Sequence, residues 1–185
     1  MDIRPGDRIL EIGCGAGNVL EKSPAGRLFG VDISLSILAK AKQKLDQAGL
    51  LFQGDAHNLP CKSDTFNQVI CSEVFEHLLD PSLAIEEIAR VLNSQGAAII
   101  SVPNELWINR VKRLLIRLGI FHWFTDRRGE YQRMPERMDD EWHLHSFHLQ
   151  QWLEIFTKCF KVVVCKSIPF CWLPLRFVIR LERQE

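Results

Sequence analysis

The sequence predicts an α/β domain, a central and mostly parallel sheet with helices on its faces. Three observations predict it. Short apolar, β-branched runs alternate with stretches of helical period, as a parallel sheet requires when each crossover must carry the chain back past the strand it left. The first run, Arg8–Ile12, ends in Gly13-Cys14-Gly15-Ala16-Gly17, a turn almost free of side-chain bulk. The second, residues 28–31, ends in Asp32. A chain of 185 residues has the length of one ordinary domain with a substantial core.

The elements follow in order. Residues 8–12 form strand one, and a very short helix near 18–22 lies behind the glycines. Residues 28–31 form strand two. Ser34 then caps a helix whose Leu38, Ala41 and Leu45 share one face and which stops at Gly49. Residues 50–53 and 68–72 are strands three and four. Asp80-Pro81 opens the next helix with a cap acceptor and a proline in the first turn, where its missing N–H costs nothing. Its inward stripe is Ile85, Ile88, Ala89 and Leu92, with Gly96 just past its end, and residues 97–102 are strand five. A helix over 149–158 and strand-like runs at 160–165 and 177–181 complete the pattern.

Residues 105–147 are longer than a plain strand-to-helix connection, and such segments in a domain are usually lids or disordered. Within them, 106–118 reads as an amphipathic helix, with Trp107, Val111, Leu114 and Leu118 on one face and Arg110, Arg113 and Arg117 on another. The preferred reading packs the apolar face on the domain. The alternative, helped by Phe121, Trp123 and Phe124, is peripheral membrane or lipid contact through 105–124.

No apolar run approaches the length of a membrane span, and no charged-then-apolar leader opens the chain. The six cysteines (14, 61, 71, 159, 165, 171) form no Cys-x-x-Cys pair and read as reduced thiols of a cytoplasmic protein. Net charge is zero but unevenly spread. Residues 1–105 carry 9 Lys/Arg against 14 Asp/Glu, and residues 106–185 carry 14 against 9, with the basic excess at 110–137. A solvated helix face is the common cause of such an excess, and an anionic partner the rarer one.

The glycine spacing narrows the ligand. An apolar strand, a glycine turn and an acid ending the next strand are the parts of a nucleoside site. A dinucleotide fingerprint needs Gly-x-Gly-x-x-Gly, whereas Gly13, Gly15 and Gly17 fall on alternate positions and Asn18 follows. Glu11, two residues before the turn, would repel a pyrophosphate but suits an ammonium or sulfonium. The inferred ligand is S-adenosylmethionine.

The run Leu10-Glu11-Ile12-Gly13-Cys14-Gly15-Ala16-Gly17 resembles the first motif of the class I S-adenosylmethionine-dependent methyltransferases, in particular their small-molecule group. Gly30-Val31-Asp32-Ile33-Ser34 is similar to that family's ribose-binding strand end, Gly54-Asp55-Ala56 to its adenine-contacting turn, and Ser72-Glu73-Val74-Phe75-Glu76-His77 to the turn after its fourth strand. The resemblance covers residues 4–104 well and the remainder loosely. It implies a Rossmann-like, seven-stranded sheet with the last strand antiparallel. It also implies one domain over 1–185: a cofactor half at 4–104, a lid or substrate segment at 105–147, and a last helix and two strands at 148–185. The N-terminal helix that often covers the cofactor in that family has no counterpart before strand one.

The same resemblance implies a cofactor set of Glu11, Gly13, Cys14, Gly15, Gly17, Asp32, Ile33, Asp55, Ala56, Ser72 and Glu73. The glycines let backbone approach the methionine part, and Glu11 accepts from the cofactor's amino group or from loop N–H groups. Asp32 takes both ribose hydroxyls, since an ionised carboxylate accepts at both oxygens. Asp55 accepts the adenine amine, and Ala56 N–H meets the ring. Methyl transfer from a sulfonium disperses charge, so ordering donor and acceptor in an apolar pocket supplies much of the acceleration. A general base is needed only for an acceptor that arrives protonated. His77 is the first candidate, and His143 and His145 are the second. His143-x-His145-x-x-His148 also has metal-like spacing, but no metal is expected.

The acceptor expected is a small molecule, with O-, N- or C-methylation open and a lipid or quinone-like compound among the options. Nucleic acid is not expected, because the Asn/Asp-Pro-Pro-Tyr-like turn of base-amine methyltransferases is missing after strand four. The alternatives are a non-catalytic or partner-dependent binding module of the same fold, and a nicotinamide dehydrogenase, which the glycine spacing disfavours. The oligomeric state stays open.

Overall fold

The computed structural model describes residues 3–22, 26–45, 49–120 and 144–184. Its strands are β1 (Arg8–Ile12), β2 (Arg27–Asp32), β3 (Gly49–Gln53), β4 (Phe66–Ser72), β5 (Leu92–Pro103), β6 (Phe160–Phe170) and β7 (Leu173–Arg183). They make one seven-stranded sheet in the order β3-β2-β1-β4-β5-β7-β6. The first five run parallel, and β7 is antiparallel to both β5 and β6. Strand order reverses between β1 and β4. In open α/β sheets, the carboxyl ends flanking such a reversal are where ligands bind.

Alternation along the strands explains the two faces. Leu10, Ile12, Val69, Cys71, Ala98, Ile100, Ile179 and Leu181 all join one core cluster. That cluster includes the inward stripes of α2 (Pro81–Val91) and, further on, α4 (Leu149–Phe156). Phe75 meets Phe156 edge-on at 5.0 Å and Trp152 at 6.1 Å, which ties the turn after β4 to α4. On the opposite face Leu38 and Leu45 of α1 (Leu35–Leu45) pack with Cys14 and Leu20. The short helix behind the glycines is one 3-10 turn, Leu20–Lys22. Asp80 caps α2 as the sequence implies, its side chain accepting from Ser82 N and Leu83 N. No helix among the described residues is long and apolar enough to cross a membrane.

Three local expectations shift. Helix α2 ends at Val91, and Leu92, expected in its stripe, begins β5. Its inward face is Ala84, Ile85, Ile88 and Val91, while Ala89 is half-buried. The chain needs no glycine stop because Leu92 goes directly to an extended conformation. Gly96 lies inside β5 instead, where a Cβ would collide with the Leu92 side chain. The last two strands are longer than the apolar runs suggest. Pro169 pairs with Pro174 near the hairpin tip, past the last pairing of β7 with β5 at Arg176, where a missing N–H is cheap.

The third shift concerns α3 (Glu105–Arg117), the amphipathic helix of the long connection. Its buried residues are Glu105 and Lys112, not its apolar stripe. Trp107 and Val111 are half-buried, and Leu114 and Leu118 are 55% and 59% exposed. Amphipathic periodicity finds the helix but not which neighbour its apolar face meets.

Candidate cofactor site

The carboxyl ends of β1, β2, β3 and β4 open onto a cleft of about 430 Å³. Gly13 follows β1, Asp32 and Ile33 close β2, Asp55 and Ala56 follow β3, and Glu73 and His77 follow β4, all lining it. The four sequence motifs therefore converge on one cavity.

The glycine turn is shaped by its own backbone. Gly13 has φ +65°, and a Cβ there would run into the Val74 side chain, so only glycine lets the turns after β1 and β4 approach this closely. Cys14 N–H donates to Val31 O at 3.0 Å, and Gly17 N–H donates to Cys14 O at 2.8 Å. The Cys14 side chain points away, into the small core with Leu20, Leu38 and Leu45. Burial pushes its thiol up to about 12, with Glu11 and Asp32 adding to the rise. Cys14 thus offers the cleft backbone, not sulfur.

Asp32 ties the turn to the end of β2. Its Oδ2 accepts from Gly15 N–H at 2.8 Å and its Oδ1 from Ser34 N–H at 2.9 Å. A carboxylate has about four acceptor sites, so lone pairs remain on both oxygens for hydroxyl donors. Glu11 sits below, 3% exposed, with Oε2 accepting from Leu20 N–H at 3.3 Å. Burial pushes its carboxyl up to about 7. The Leu20 bond opposes the rise and the charge of Asp32 adds to it. Of its two expected partners, Glu11 meets the loop N–H.

Ile33 projects at 70% exposure over one rim. Asp55 Oδ1 accepts from both His57 N–H at 2.9 Å and His57 Nδ1 at 2.6 Å. These bonds hold the Asp55 carboxyl below its ordinary range.

Beyond β4 a polar chain crosses the sheet. Ser72 Oγ lies 2.9 Å from Ser101 Oγ, and Ser101 Oγ donates to Glu73 Oε1 at 2.7 Å. Arg176 Nη2 is 3.0 Å from Glu73 Oε2. Glu73 sits at φ +55°, a conformation costly for a residue with a side chain, and its N–H donates to Ser101 O at 3.1 Å. A second hollow of about 140 Å³ lies beside this chain, bordered by Ser72, Ser101, Ile168, Arg176 and Val178.

The candidate histidines separate. His77 lines the cleft with its side chain 41% exposed. Its neighbour Glu76 is 1% exposed with Oε2 unpartnered among the described residues, and burial, with Glu73 and Glu105 nearby, pushes its carboxyl up to about 8 against the pull of a backbone bond and Arg176. His145 Nε2 is 2.8 Å from Leu78 O, and its ring lies 4.7 Å from Phe147, so it pins the 144–148 segment to the turn after β4. Leu144 N–H and His145 N–H both donate to Glu76 O. His143 lies outside the described residues. Among the described residues no three metal-ligating side chains are grouped to hold an ion.

Three participants escaped sequence reasoning. His57 carried a usable signal, an acid two residues before it that can close a local turn. Ser101 and Arg176 carried none, because they reach Glu73 only through strand register.

A profile of the methyltransferase domain family matches residues 10–100. The chain is 34% identical over 111 residues to a ubiquinone biosynthesis O-methyltransferase of Azorhizobium caulinodans, covering 55% of this chain and 43% of that protein. It is 33% identical over 101 residues to a phosphatidylethanolamine N-methyltransferase of Cereibacter sphaeroides, covering 51% of this chain and 50% of that one. The chain thus spans half or less of either relative's length. In fold it is similar to a Haloferax volcanii chain solved in complex with the Trm112 methyltransferase activator, at TM-score 0.76 and 18% identity, over 100% of this chain and 85% of that one. Residues 10–100 thus match the methyltransferase domain family, and the sheet has the fold of the class I S-adenosylmethionine-dependent methyltransferases.

Proposed function

We propose that this chain transfers a methyl group from S-adenosylmethionine to a small-molecule acceptor. The observation that carries the reading is the cleft in which the glycine turn, Asp32 and Asp55 follow three consecutive parallel strands. The residues present fit the cofactor. Gly13, Gly15 and Gly17 give backbone to its methionine part, and Asp32 has acceptor capacity left for a ribose diol. Asp55, Ala56 and Ile33 border the place for the base; Glu73 lines the cleft after β4, Ser72 borders the neighbouring hollow, and this end is assigned to the acceptor. When bound, the cofactor supplies an electrophilic methyl on a sulfonium. The chain's own residues orient it, exclude water and, for a protonated acceptor, remove a proton. His77 is proposed for that last step, because among the described candidate histidines it is the one that lines the cleft. His145, engaged with Leu78 O, is assigned to scaffolding. In this reading residues 4–104 hold the cofactor, 105–147 cover the acceptor and 148–185 complete the sheet.

A lipid or quinone-like acceptor is the favoured subclass. Leu106, Leu114, Ile116 and Leu118 of α3 and its C-terminal turn are about half exposed or more, beside the exposed Arg110, Arg113 and Arg117. The stacked Phe170 and Trp172 at the hairpin tip are 53% and 68% exposed. Apolar surface flanked by cations suits an anionic membrane face, and the two relatives named above act, by their names, on a quinone precursor and a phospholipid. Partner-dependent function is the second reading, motivated by the activator complex of the Haloferax volcanii neighbour.

Isothermal titration with S-adenosylmethionine and with S-adenosylhomocysteine tests the reading. Saturable binding of either supports it and opens a screen of hydrophobic phenols and lipids. A folded chain that binds neither would overturn the autonomous enzyme and favour the partner-dependent form.

A further inference from the structure

The turn after β3, which borders the cleft, is joined to the amino end of α2 by one imidazole ring. On one side His57 Nδ1 lies 2.6 Å from Asp55 Oδ1, which also accepts from His57 N–H at 2.9 Å. On the other side Asp80 N–H donates to His57 Nε2 at 3.1 Å. A backbone N–H can only donate, so Nε2 must be the accepting nitrogen. The ring proton then resides on Nδ1, where it donates to the carboxylate. The Asp80 end is firm, because the Asp80 side chain itself accepts from Ser82 N–H at 2.9 Å and Leu83 N–H at 3.3 Å as the cap of α2.

Both bonds from His57 fall on the same carboxylate oxygen, Oδ1. Asp55 Oδ2 makes no hydrogen bond within the described residues, and Asp55 and His57 both line the cleft. Asp55 is 52% exposed at its side chain, so without the clasp its carboxylate would be free to rotate.

We propose that His57 is a positioning residue for base recognition: it fixes the Asp55 carboxylate so that Oδ2 stands ready at the cleft to accept the exocyclic amine of adenine. The inference rests on the cleft being the S-adenosylmethionine site. It predicts discrimination and not only affinity. A purine with a carbonyl in place of the amine presents an acceptor to an acceptor, and the penalty for that mismatch requires Asp55 to be held in place. A merely structural histidine would weaken both purines alike.

The test compares S-adenosylhomocysteine with its deaminated analogue, S-inosylhomocysteine, by calorimetry on the intact chain, with thermal melts to check folding. Wild type is expected to prefer the adenosyl ligand. In His57→Ala that preference should shrink by ~10-fold, about the effect of one hydrogen bond to a charged group. His57→Asn, whose amide N–H takes the place of Nδ1–H, should retain most of the preference. His57→Gln, which extends toward Asp80 N and not Asp55, should not. If His57→Ala fails to fold, the contrast between the Asn and Gln variants carries the test. An unchanged ratio in a folded variant that still binds, or equal loss of both ligands, would overturn the inference and leave the cofactor reading standing. A wild-type chain that binds neither ligand would overturn both.

Discussion

Replacing Asp32 by Asn or Ala probes the centre of the proposed site, because one carboxylate there has two separable tasks. Its internal task is to receive Gly15 N–H at 2.8 Å and Ser34 N–H at 2.9 Å. Hydrogen bonds to a charged acceptor are worth ~1.5–3 kcal/mol each, and the half-buried position argues for the low end. Asp32→Ala should then cost ~3 kcal/mol of stability. Asp32→Asn should cost ~1.5 kcal/mol, since one amide face still accepts and the other opposes an N–H donor. The external task, in the proposed function, is to receive the ribose diol. Two further bonds of the same kind give ~3 kcal/mol of binding, or ~100-fold in Kd for the Ala variant and ~10-fold for Asn. The assay is calorimetric titration with S-adenosylhomocysteine below the melting temperature of each variant. An Asn variant that is folded and binds within twofold of wild type would refute the diol assignment.

Gly13→Ala must place a side chain at φ +65° and against Val74, so we expect ~2 kcal/mol or more of destabilisation in chemical denaturation, with cofactor affinity falling alongside. Glu76 makes a pH prediction. Its carboxyl is ordinary in the unfolded chain and near 8 when folded, so the native state holds the proton more tightly. Stability from this group is present below about 4.5 and is lost as pH rises toward 8. Glu76→Gln removes the ionisable group, so it should gain on wild type across that window by on the order of 3 kcal/mol. A difference between the two that is flat from pH 5 to 8 in denaturant melts would contradict the burial argument. Co-sedimentation with anionic vesicles should exceed that with neutral ones, and Leu114→Glu with Leu118→Glu should abolish it. Equal pelleting by the double variant would remove α3 from the lipid reading.

The first four strands were legible because their evidence is local. Each is a short apolar run that closes on a glycine or an acid, and the neighbours needed to recognise it are adjacent in the chain. The start of β5 was not legible. Leu92 pairs with Phe66 but Ala97 pairs with Gln68, so Asn93, Ser94 and Gln95 form an irregularity that carries no strand pattern. The prolines at 169 and 174 argue against strand unless the ladder is known to have one side open there. Lys112 and Glu105 argue against an inward face, yet they are the buried positions of α3.

The same distinction divides the site. Gly13, Asp32 and Asp55 each close a strand, so their place follows from knowing where that strand ends. Ser101 meets Glu73 because β4 and β5 are registered with Ser72 opposite Ser101, and Arg176 arrives because β7 runs antiparallel with Pro103 opposite it. A one-residue slip in either pairing would turn these side chains to the other face of the sheet. The bulge at the start of β5 is what absorbs the mismatch and sets the first of those registers. The proposed acceptor-side chain therefore depends on an irregularity that ends four residues before Ser101, ~13 Å of extended chain away. Shortening the bulge by one residue should disconnect Ser101 from Glu73 while leaving the glycine turn and Asp32 intact. S-adenosylhomocysteine binding should survive that deletion and methyl transfer should not. Loss of both together would mean that register serves the fold alone.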